Sequence, residues 1–272
     1  MINEPPILIK VSKIKEIGFL VLILWFQLAF SQYKIINDGW QFSEDENSWQ
    51  TVNVPHTWNV DDAFDDKPGY RRGLGYYKKK IFISSEEKNN IHYLKFNGVN
   101  QKATVYMNGK LVGNHKGGYT AFNFEISSLI KYDDYNLIEV RVDNAHNENI
   151  PPLDADFTFY GGIYRDVAFI SLPKQHFSLS DFASDGFYVN YHNVSKQNAE
   201  VEVQVMVANK AAIKSKTRLR IALFDAEGNQ LKTHSEKFTL KSITSKQLSI
   251  RLPKIETLTY GRLKTPTCTN LS

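Results

Sequence analysis

Short runs of alternating apolar and polar residues are the feature that most constrains the fold of this chain. The runs IHYLKF (91–96), KATVYM (102–107), LIEVRV (137–142) and VAFISL (167–172) repeat with a period of two and are rich in β-branched and aromatic residues. A period of two places successive side chains on opposite faces of a strand, and no segment between residues 32 and 172 keeps the period of a helix. The sequence therefore predicts a sandwich or jelly roll of short antiparallel strands.

One connection between these strands can be predicted in detail. In ATVYMNGKLVG (103–113), Asn108 and Gly109 both tolerate positive φ, which a two-residue type I′ turn requires. Alternation then places Val105 and Met107 on one face of the hairpin, with Leu111 nearby.

The pattern of apolar and polar residues changes near residue 175. The run AEVEVQVMV (199–207) alternates four valines with polar residues, which predicts a strand with one buried face and one wet face. Further short alternating runs follow at RLRIALFD (218–225), KFTL (237–240) and QLSIRL (247–252). Several short strands in about eighty residues are typical of an immunoglobulin-like sandwich. We therefore predict an all-β chain with one sandwich at 32–175 and a second at 176–258.

The first 31 residues differ from the rest of the chain. Three lysines precede the apolar run IGFLVLILWFQLAF (17–30), and the small residues Ala29 and Ser31 stand at its end. This pattern predicts a secretory signal peptide over residues 1–31, with an uncleaved N-terminal anchor as the alternative. The run is shorter than the ~20 residues that a membrane-spanning helix needs. We expect a secreted or periplasmic protein without stable membrane insertion after cleavage.

Composition excludes several classes of function. The 33 basic and 29 acidic side chains are scattered and give a net charge of +4, so no basic stripe for nucleic acid stands out. The single cysteine, Cys268, has no partner for an internal disulfide and lies too near the end of the chain for a catalytic thiol. Seven histidines stand far apart, which argues against a zinc site.

The most specific stretch is DADFTFYGGIYRDV, residues 154–167. Gly161 and Gly162 allow a tight or bulged backbone just before a strand. Asp156 precedes aromatic residues, and a carboxylate in such a setting suits a sugar, because it accepts hydroxyl hydrogen bonds while rings stack on the C–H face. For Arg165 and Asp166 a structural role is favoured, in which Arg165 pairs with a carboxylate and pins the loop.

Three other stretches permit a chemical or a structural interpretation. In VPHTWN (54–59), His56 could act as a general base, but a buried, hydrogen-bonded strut is favoured. The acidic stretch DDAFDD (61–66) lacks the ligand spacing of a calcium loop and is expected to be a solvated loop. The alternating aromatics of HKGGYTAFNFEIS (115–127) are expected to pack into the core.

Taken in order, these stretches resemble the N-terminal part of glycoside hydrolase family 2, which includes β-galactosidases, β-glucuronidases and β-mannosidases. The resemblance is carried by VPHTWN, YRRGLGYYKKKIFI, LKFNGVNQKATVYMNGKLVGNHKGGYTAFNFEIS, NLIEVRVDN and DADFTFYGGIYRDV. It covers about residues 37–172, with weaker similarity over 176–258. It implies a jelly-roll sugar-binding domain followed by an immunoglobulin-like domain.

The resemblance also implies a role for one residue. In the family pattern Asp-x-x-x-Tyr-Gly-Gly-Ile-x-Arg the first carboxylate contacts the sugar, and that position is Asp156 here. In the bacterial β-galactosidases the equivalent residue also helps to hold a sodium ion; no other cofactor is implied. The family's assisting asparagine has no clear match near Tyr70–Arg72. VPHTWN and GGYTAFNFEIS look closer to β-galactosidases, so a β-linked galactoside or related glycan is the expected substrate.

The family's two catalytic glutamates belong to a third domain, a (β/α)₈ barrel, which residues 32–272 do not supply. We therefore expect this chain alone to be an inactive fragment of a secreted family 2 enzyme, and the alternative is a free-standing, non-catalytic carbohydrate-binding module.

The final stretch 259–272 lacks any period, and a one-base shift of its reading frame permits a sequence like that which precedes the barrel in the family. We interpret this tail as frameshifted or irregular, and expect no role for Cys268. In the family the last strand of the second sandwich leads to the barrel and packs against it. Loss of this packing predicts exposed apolar surface on the second sandwich.

Overall fold

The computed structural model describes residues 32–62, 64–65, 69–151, 153, 158–195, 198–224, 228–252 and 270–271. The described residues belong to one compact unit, and their regular structure is almost entirely strand, with two single-turn 3₁₀ helices at Ser85–Glu87 and Ser127–Leu129. The strands are β1 (Gln32–Ile35), β2 (Trp40–Ser43), β3 (Gln50–Val52), β4 (Leu74–Ile83), β5 (Ile91–Phe96), β6 (Lys102–Met107), β7 (Lys110–Lys116), β8 (Phe122–Glu125), β9 (Asp134–Asp143), β10 (Val167–Leu172), β11 (Gln175–Phe177), β12 (Phe187–His192), β13 (Glu200–Asn209), β14 (Ser215–Phe224), β15 (Gln230–Leu240), β16 (Thr244–Arg251) and β17 (Asn270–Leu271).

Two antiparallel sheets form the first sandwich. The four-stranded sheet has the order β1-β10-β5-β8, and the six-stranded sheet has the order β3-β2-β4-β9-β6-β7. Sequence neighbours such as β5 and β6 lie in different sheets, so the chain crosses between the two layers as a jelly roll does. The largest fully buried side chains of this core are Trp40, Tyr77, Phe42 and Phe96. The predicted fold class is confirmed.

Local sequence pattern fixed several elements of this sandwich correctly. The predicted runs 91–96, 102–107 and 167–172 coincide with β5, β6 and β10, and LIEVRV lies inside β9. At the β6–β7 turn, Asn108 has φ 54° and Gly109 has φ 76°. Both central residues are therefore left-handed, as the predicted type I′ turn requires. Val105 and Met107 are fully buried on one face, whereas Leu111 is exposed.

The second sandwich is built around β13. This strand pairs with β11 and β12 along one edge and with β16 along the other, while β14 pairs with β15 and β17. Val201, Val203, Val205 and Val207 are buried, as the alternating run predicted. They form an apolar cluster with residues of β14, β15 and β16, including Leu219.

Contacts also join the two sandwiches. Leu179 packs in a small apolar cluster with residues of β5 and β10. The Tyr93 hydroxyl lies 3.2 Å from His176 Nε2, and Asn123 Nδ2 donates to the Leu179 carbonyl oxygen at 2.7 Å. These contacts tie the start of the second sandwich to the first, and the division at residue 175 stays a prediction.

Both ends of the chain lie largely outside the described residues. This holds for the predicted signal peptide, residues 1–31, and for Cys268. Of the predicted irregular tail 259–272, only Asn270–Leu271 is described, and its backbone pairs with β14 at Leu223 and Phe224. Among the residues that the structure describes, no helix has the length and apolar character needed to cross a membrane.

Candidate functional site

The residue predicted to contact a sugar lies outside the described residues. Asp156 lies outside them together with Asp154 and Phe157, so the predicted contacts of Asp156 with a sugar and with sodium stay predictions. The described part of the motif begins at Thr158. The structure therefore shows how the chain is held immediately after Asp156.

Three buried asparagines hold this segment by its backbone. Asn144 Nδ2 donates to the Phe159 carbonyl oxygen at 3.1 Å, Asn100 Nδ2 donates to the Tyr160 carbonyl oxygen at 2.7 Å, and Asn59 Oδ1 accepts from the Gly161 N–H at 2.6 Å. The three side chains belong to residues that are no more than 5% exposed. Buried amides with satisfied hydrogen bonds fix a backbone strongly, because breaking them leaves polar groups unpaired. We call Asn59, Asn100 and Asn144 the asparagine clamp.

A backbone bridge completes the clamp. The Asn100 N–H donates to the Gly162 carbonyl oxygen at 3.0 Å, and the Gly162 N–H donates to the Asn100 carbonyl oxygen at 3.1 Å. Four successive residues, 159–162, are thus bonded to partners that are distant in sequence. The position of the chain three residues after Asp156 is therefore fixed by the jelly-roll core.

The two glycines of the motif are required by close approach. A Cβ on Gly161 would lie 2.1 Å from Trp58 Cζ2. Gly162 has φ +128°, and a Cβ there would lie 2.5 Å from the His56 carbonyl oxygen. The predicted tight backbone is confirmed, and its cause is the packing of the VPHTWN segment against it.

The clamp also fixes the loop that leads into β4. Asn59 Nδ2 donates to the Arg71 carbonyl oxygen at 2.8 Å and to Asp62 Oδ2 at 2.5 Å. Asp62 Oδ2 accepts from the Arg71 N–H at 2.9 Å, and Asn144 Oδ1 accepts from the Gly73 N–H at 2.8 Å. Asp62 is therefore a structural acceptor, which corrects the expectation that the whole DDAFDD stretch is simply solvated.

Two buried N–H donors near the clamp have no partner among the described residues. They are Trp58 Nε1 and Arg71 Nη1. The Arg71 guanidinium carbon lies 4.9 Å from the centre of the Trp58 ring, and Arg71 Nε lies 3.2 Å from Glu44 Oε2. Unpaired buried donors are costly, and because the protein itself covers both atoms, an oxygen ligand could reach them only if their surroundings moved.

Exposed cationic and aromatic side chains border the same segment. Arg72 is exposed, and its guanidinium carbon lies 4.7 Å from the Tyr70 ring centre and 5.1 Å from that of Phe159. Tyr160 is 47% exposed. Rings and a cation of this kind can stack on a sugar and bind its oxygen atoms.

His56 is a strut, as the sequence favoured. Its Nδ1 lies 2.7 Å from the Tyr77 hydroxyl, and its backbone N–H donates to the Ile163 carbonyl oxygen at 2.8 Å. Burial lowers the pKa of His56 and raises the pKa of Tyr77. The His56 side chain thus contacts β4 at Tyr77 while its backbone holds the segment after Gly162, which leaves no support for the general-base alternative.

The predicted ion pair of Arg165 stays a prediction, because Arg165 has no carboxylate partner in the described part of the chain while Asp154 and Asp156 lie outside it. Arg165 Nη1 lies 3.5 Å from the carbonyl oxygens of Asn97 and Tyr119, and its guanidinium stacks 5.3 Å from the Tyr164 ring centre. Asp166 instead accepts from Asn37 Nδ2 at 2.8 Å. The described partners of both residues are uncharged groups of the protein, which agrees with a structural role for each.

The GGYTAFNFEIS stretch packs largely as predicted. Phe122 is buried and stacks on Phe96 and on His115, with ring centres 5.0 and 4.1 Å apart. Tyr119 differs, because 48% of it is exposed.

Sequence reasoning missed the asparagine clamp. Asn59, Asn100 and Asn144 all lie within motifs that carried the family resemblance, so their positions were noticed without their roles. The available signal was that all three asparagines lie in connections between strands, Asn100 and Asn144 close to strand ends, where amide side chains often bond to the backbone.

Comparison with known proteins agrees with this architecture. Residues 24–173 match the family model described as glycosyl hydrolases family 2, sugar binding domain. A β-glucuronidase of Bacteroides fragilis is 41% identical over 199 residues, which are 71% of this chain and 29% of that protein. A β-galactosidase of Thermoanaerobacter pseudethanolicus is 34% identical over 178 residues, which are 64% of this chain and 23% of that protein.

Solved structures give the same result. The crystal structure of the Bacteroides uniformis β-glucuronidase superposes with a TM-score of 0.82 at 33% identity, over 89% of this chain and 30% of that chain. The fold and the clamped motif define an all-β module of the sugar-binding type. The chain belongs to glycosyl hydrolase family 2, and it spans less than a third of the length of these relatives.

Proposed function

We propose that this chain is the N-terminal, sugar-binding part of a family 2 enzyme that hydrolyses β-linked glycosides, and that Asp156 contacts the sugar. The observation that carries the proposal is the asparagine clamp, which fixes residues 159–162 to the jelly-roll core. A carboxylate that binds a sugar has to be held in one place, because positional error weakens its hydrogen bonds. The clamp supplies that restraint three residues after Asp156.

Glucuronides and galactosides are the two substrate classes to consider. The motifs of the sequence favoured a galactoside, whereas the B. fragilis relative named β-glucuronidase is more similar than the T. pseudethanolicus relative named β-galactosidase. The exposed Arg72 at the edge of the segment would suit the carboxylate of a glucuronide. We therefore propose a β-glucuronide as the first substrate and a β-galactoside as the second.

Hydrolysis itself is proposed for the full-length enzyme. A retaining glycosidase needs two carboxyl groups about 5–5.5 Å apart, and the family places both in the barrel domain. In this proposal the described residues position the sugar, while the barrel supplies the nucleophile and the acid/base. Export by the segment 1–31 is part of the same proposal, and the work of the enzyme is then the breakdown of glycans outside the cytoplasm.

A chimera tests the proposal. Residues 32–252 would replace the matching part of the B. fragilis β-glucuronidase, and the product would be assayed on p-nitrophenyl β-D-glucuronide and β-D-galactoside. We expect hydrolysis of the glucuronide, and a roughly tenfold to hundredfold loss of kcat/KM on Asp156→Ala, because a hydrogen bond to a charged group contributes about 1.5–3 kcal/mol.

Asp154→Ala is the matched control and should leave kcat/KM unchanged. A chimera that unfolds cooperatively but hydrolyses neither substrate would contradict the proposal, and so would an Asp156→Ala variant as active as its parent. Binding of either glycoside by the isolated chain with millimolar or tighter affinity would favour a free-standing carbohydrate-binding module.

A further inference from the structure

The solvent face of the six-stranded sheet carries a groove of about 290 Å³ that the proposed sugar site does not use. Its walls come from the central strands β4, β9 and β6 and from the β2–β3 connection. The side chains that matter are Trp49, Tyr76, Lys78, Tyr106, Glu139 and Arg141. We call these six the sheet-face groove.

Strand register places the groove residues in two rows. Tyr76 pairs with Arg141, which pairs with Thr104 on the next strand, while Lys78 pairs with Glu139, which pairs with Tyr106. The two tyrosines therefore lie on strands two apart, a separation of about 10 Å. All these side chains point away from the core, since their strand neighbours Tyr77, Val140 and Val105 are buried.

Cations lie between and above the rings. The Arg141 guanidinium carbon is 5.9 Å from the Tyr76 ring centre and 5.4 Å from the Tyr106 ring centre. Lys78 Nζ lies 3.4 Å from the Trp49 ring centre, and Trp49 Nε1 donates to the Glu46 carbonyl oxygen at 3.0 Å. Tyr76 and Tyr106 are thus held on the sheet and Trp49 on the connection beside it, and each of the three rings remains partly exposed to solvent.

The charges of the groove balance. Lys78 and Arg141 face Glu46 and Glu139, which also line it, and Arg141 Nη2 lies 3.9 Å from Glu46 Oε2. A surface with two cations and two anions has no net attraction for a polyanion. It does offer both donors and acceptors, which hydroxyl groups need, beside ring faces that pack on sugar C–H groups.

From this combination we propose that the sheet-face groove is a second glycan-binding surface, which holds an uncharged, extended β-linked oligosaccharide. The inference rests on the proposed function only in taking a β-linked glycan as the ligand, because a family 2 enzyme that cleaves terminal sugars, charged or uncharged, would gain local substrate concentration by holding the uncharged part of the glycan chain elsewhere. The groove and the Asp156 segment use different residues, so they can be tested separately.

Affinity electrophoresis of the full chain in gels that contain soluble β-1,4-galactan tests the proposal. We expect retardation of the chain, and dissociation constants roughly three- to tenfold weaker for Tyr76→Ala and Tyr106→Ala, because each removes one stacking ring. Glu139→Gln, which keeps the shape of the side chain, should also weaken binding. Tyr135→Ala is the matched control, since Tyr135 is an exposed ring on β9 that contacts Phe82 outside the groove.

Asp156→Ala separates this inference from the proposed function. Asp156→Ala should leave the retardation of the full chain unchanged, even if the same change abolishes hydrolysis by the chimera. If Asp156→Ala removed the retardation, the glycan would be bound at the Asp156 segment and the inference would be overturned. The inference would also be overturned if galactan did not retard the parent chain, or if the Tyr76, Tyr106 and Glu139 variants were retarded as strongly as the parent. Retardation by hyaluronan without galactan would overturn the assignment of an uncharged ligand.

Discussion

Asn59 Oδ1 accepts a 2.6 Å hydrogen bond from the backbone N–H of Gly161, 102 residues further along the chain. Asn59 is 1% exposed, and its Nδ2 also donates to Arg71 O and Asp62 Oδ2. One buried amide therefore joins the VPHTWN segment, the loop before β4 and the motif that follows Asp156. The three motifs that looked separate in the sequence meet at this side chain.

The first prediction concerns that amide. Asn59→Ala should lower the free energy of unfolding by about 1–3 kcal/mol for each buried group left unpaired, with the Gly161 N–H the most buried of them. Denaturant unfolding monitored by tryptophan fluorescence measures the change. The matched control is Asn114→Ala on the exposed face of β7, which should change stability by less than about 0.5 kcal/mol. Equal stability of the two variants would contradict the role of the clamp.

The second prediction concerns the close approach of Gly161. Gly161→Ala should destabilise the chain by about 1–3 kcal/mol, because the added Cβ would lie 2.1 Å from Trp58 Cζ2. Trp58→Ala should also destabilise, through loss of packing on Phe42. The double variant should lose less than the sum of the two, since the second change removes the two closest contacts of the added Cβ and leaves Asn144 Nδ2, at 2.7 Å. Additive losses in a double-mutant cycle would show that Trp58 is not the obstacle.

The third prediction concerns pH. Burial lowers the pKa values of His56, His92, His115 and His176 from the usual 6.5, although Glu87 opposes the shift at His92. As the pH falls through about 6.5, the unfolded chain takes up protons that the folded chain does not, so stability should decrease. Unfolding free energies measured between about pH 7.5 and 5.5 should show this slope.

Variants assign that slope to individual histidines. His56→Gln should give a shallower pH dependence than the parent, because it removes one buried titrating group. Asn114→Gln, at an exposed position and without a titratable group, should leave the slope unchanged. A stability that stays constant over this pH range would contradict the prediction.

The fourth prediction concerns the second sandwich. Its core contains 11 buried apolar residues in the described part of the chain, against 20 in the core of the first sandwich. Phe182 is 91% exposed and Tyr191 is 65% exposed. Limited proteolysis should therefore cut within residues 176–252 first and leave a resistant fragment over 32–172. Equal resistance of the two regions would show that the second sandwich needs no further packing.

Much of the fold follows from local pattern. The strands β5, β6 and β10 have the predicted bounds, and the turn at Asn108 and Gly109 has the predicted conformation. Both depend only on neighbours in sequence: alternation sets which face is buried, and the φ preferences of Asn and Gly set the turn. Two successive glycines likewise indicated a tight backbone at Gly161 and Gly162, although the close approach itself comes from Trp58 and His56, about 100 residues earlier in the chain.

By itself, the sequence determined the all-β class, the strands with the clearest alternation and the motif that carries Asp156. Only the tertiary structure decided which side chains hold that motif, because Asn59, Asn100 and Asn144 reach it from segments between 15 and 102 residues away. Arg165 gives a second example: its charge suggested a carboxylate, and the folded chain brings the carbonyl oxygens of Asn97 and Tyr119 to the guanidinium as well. Hydrogen bonds of buried polar groups depend on long-range packing, which local pattern does not specify.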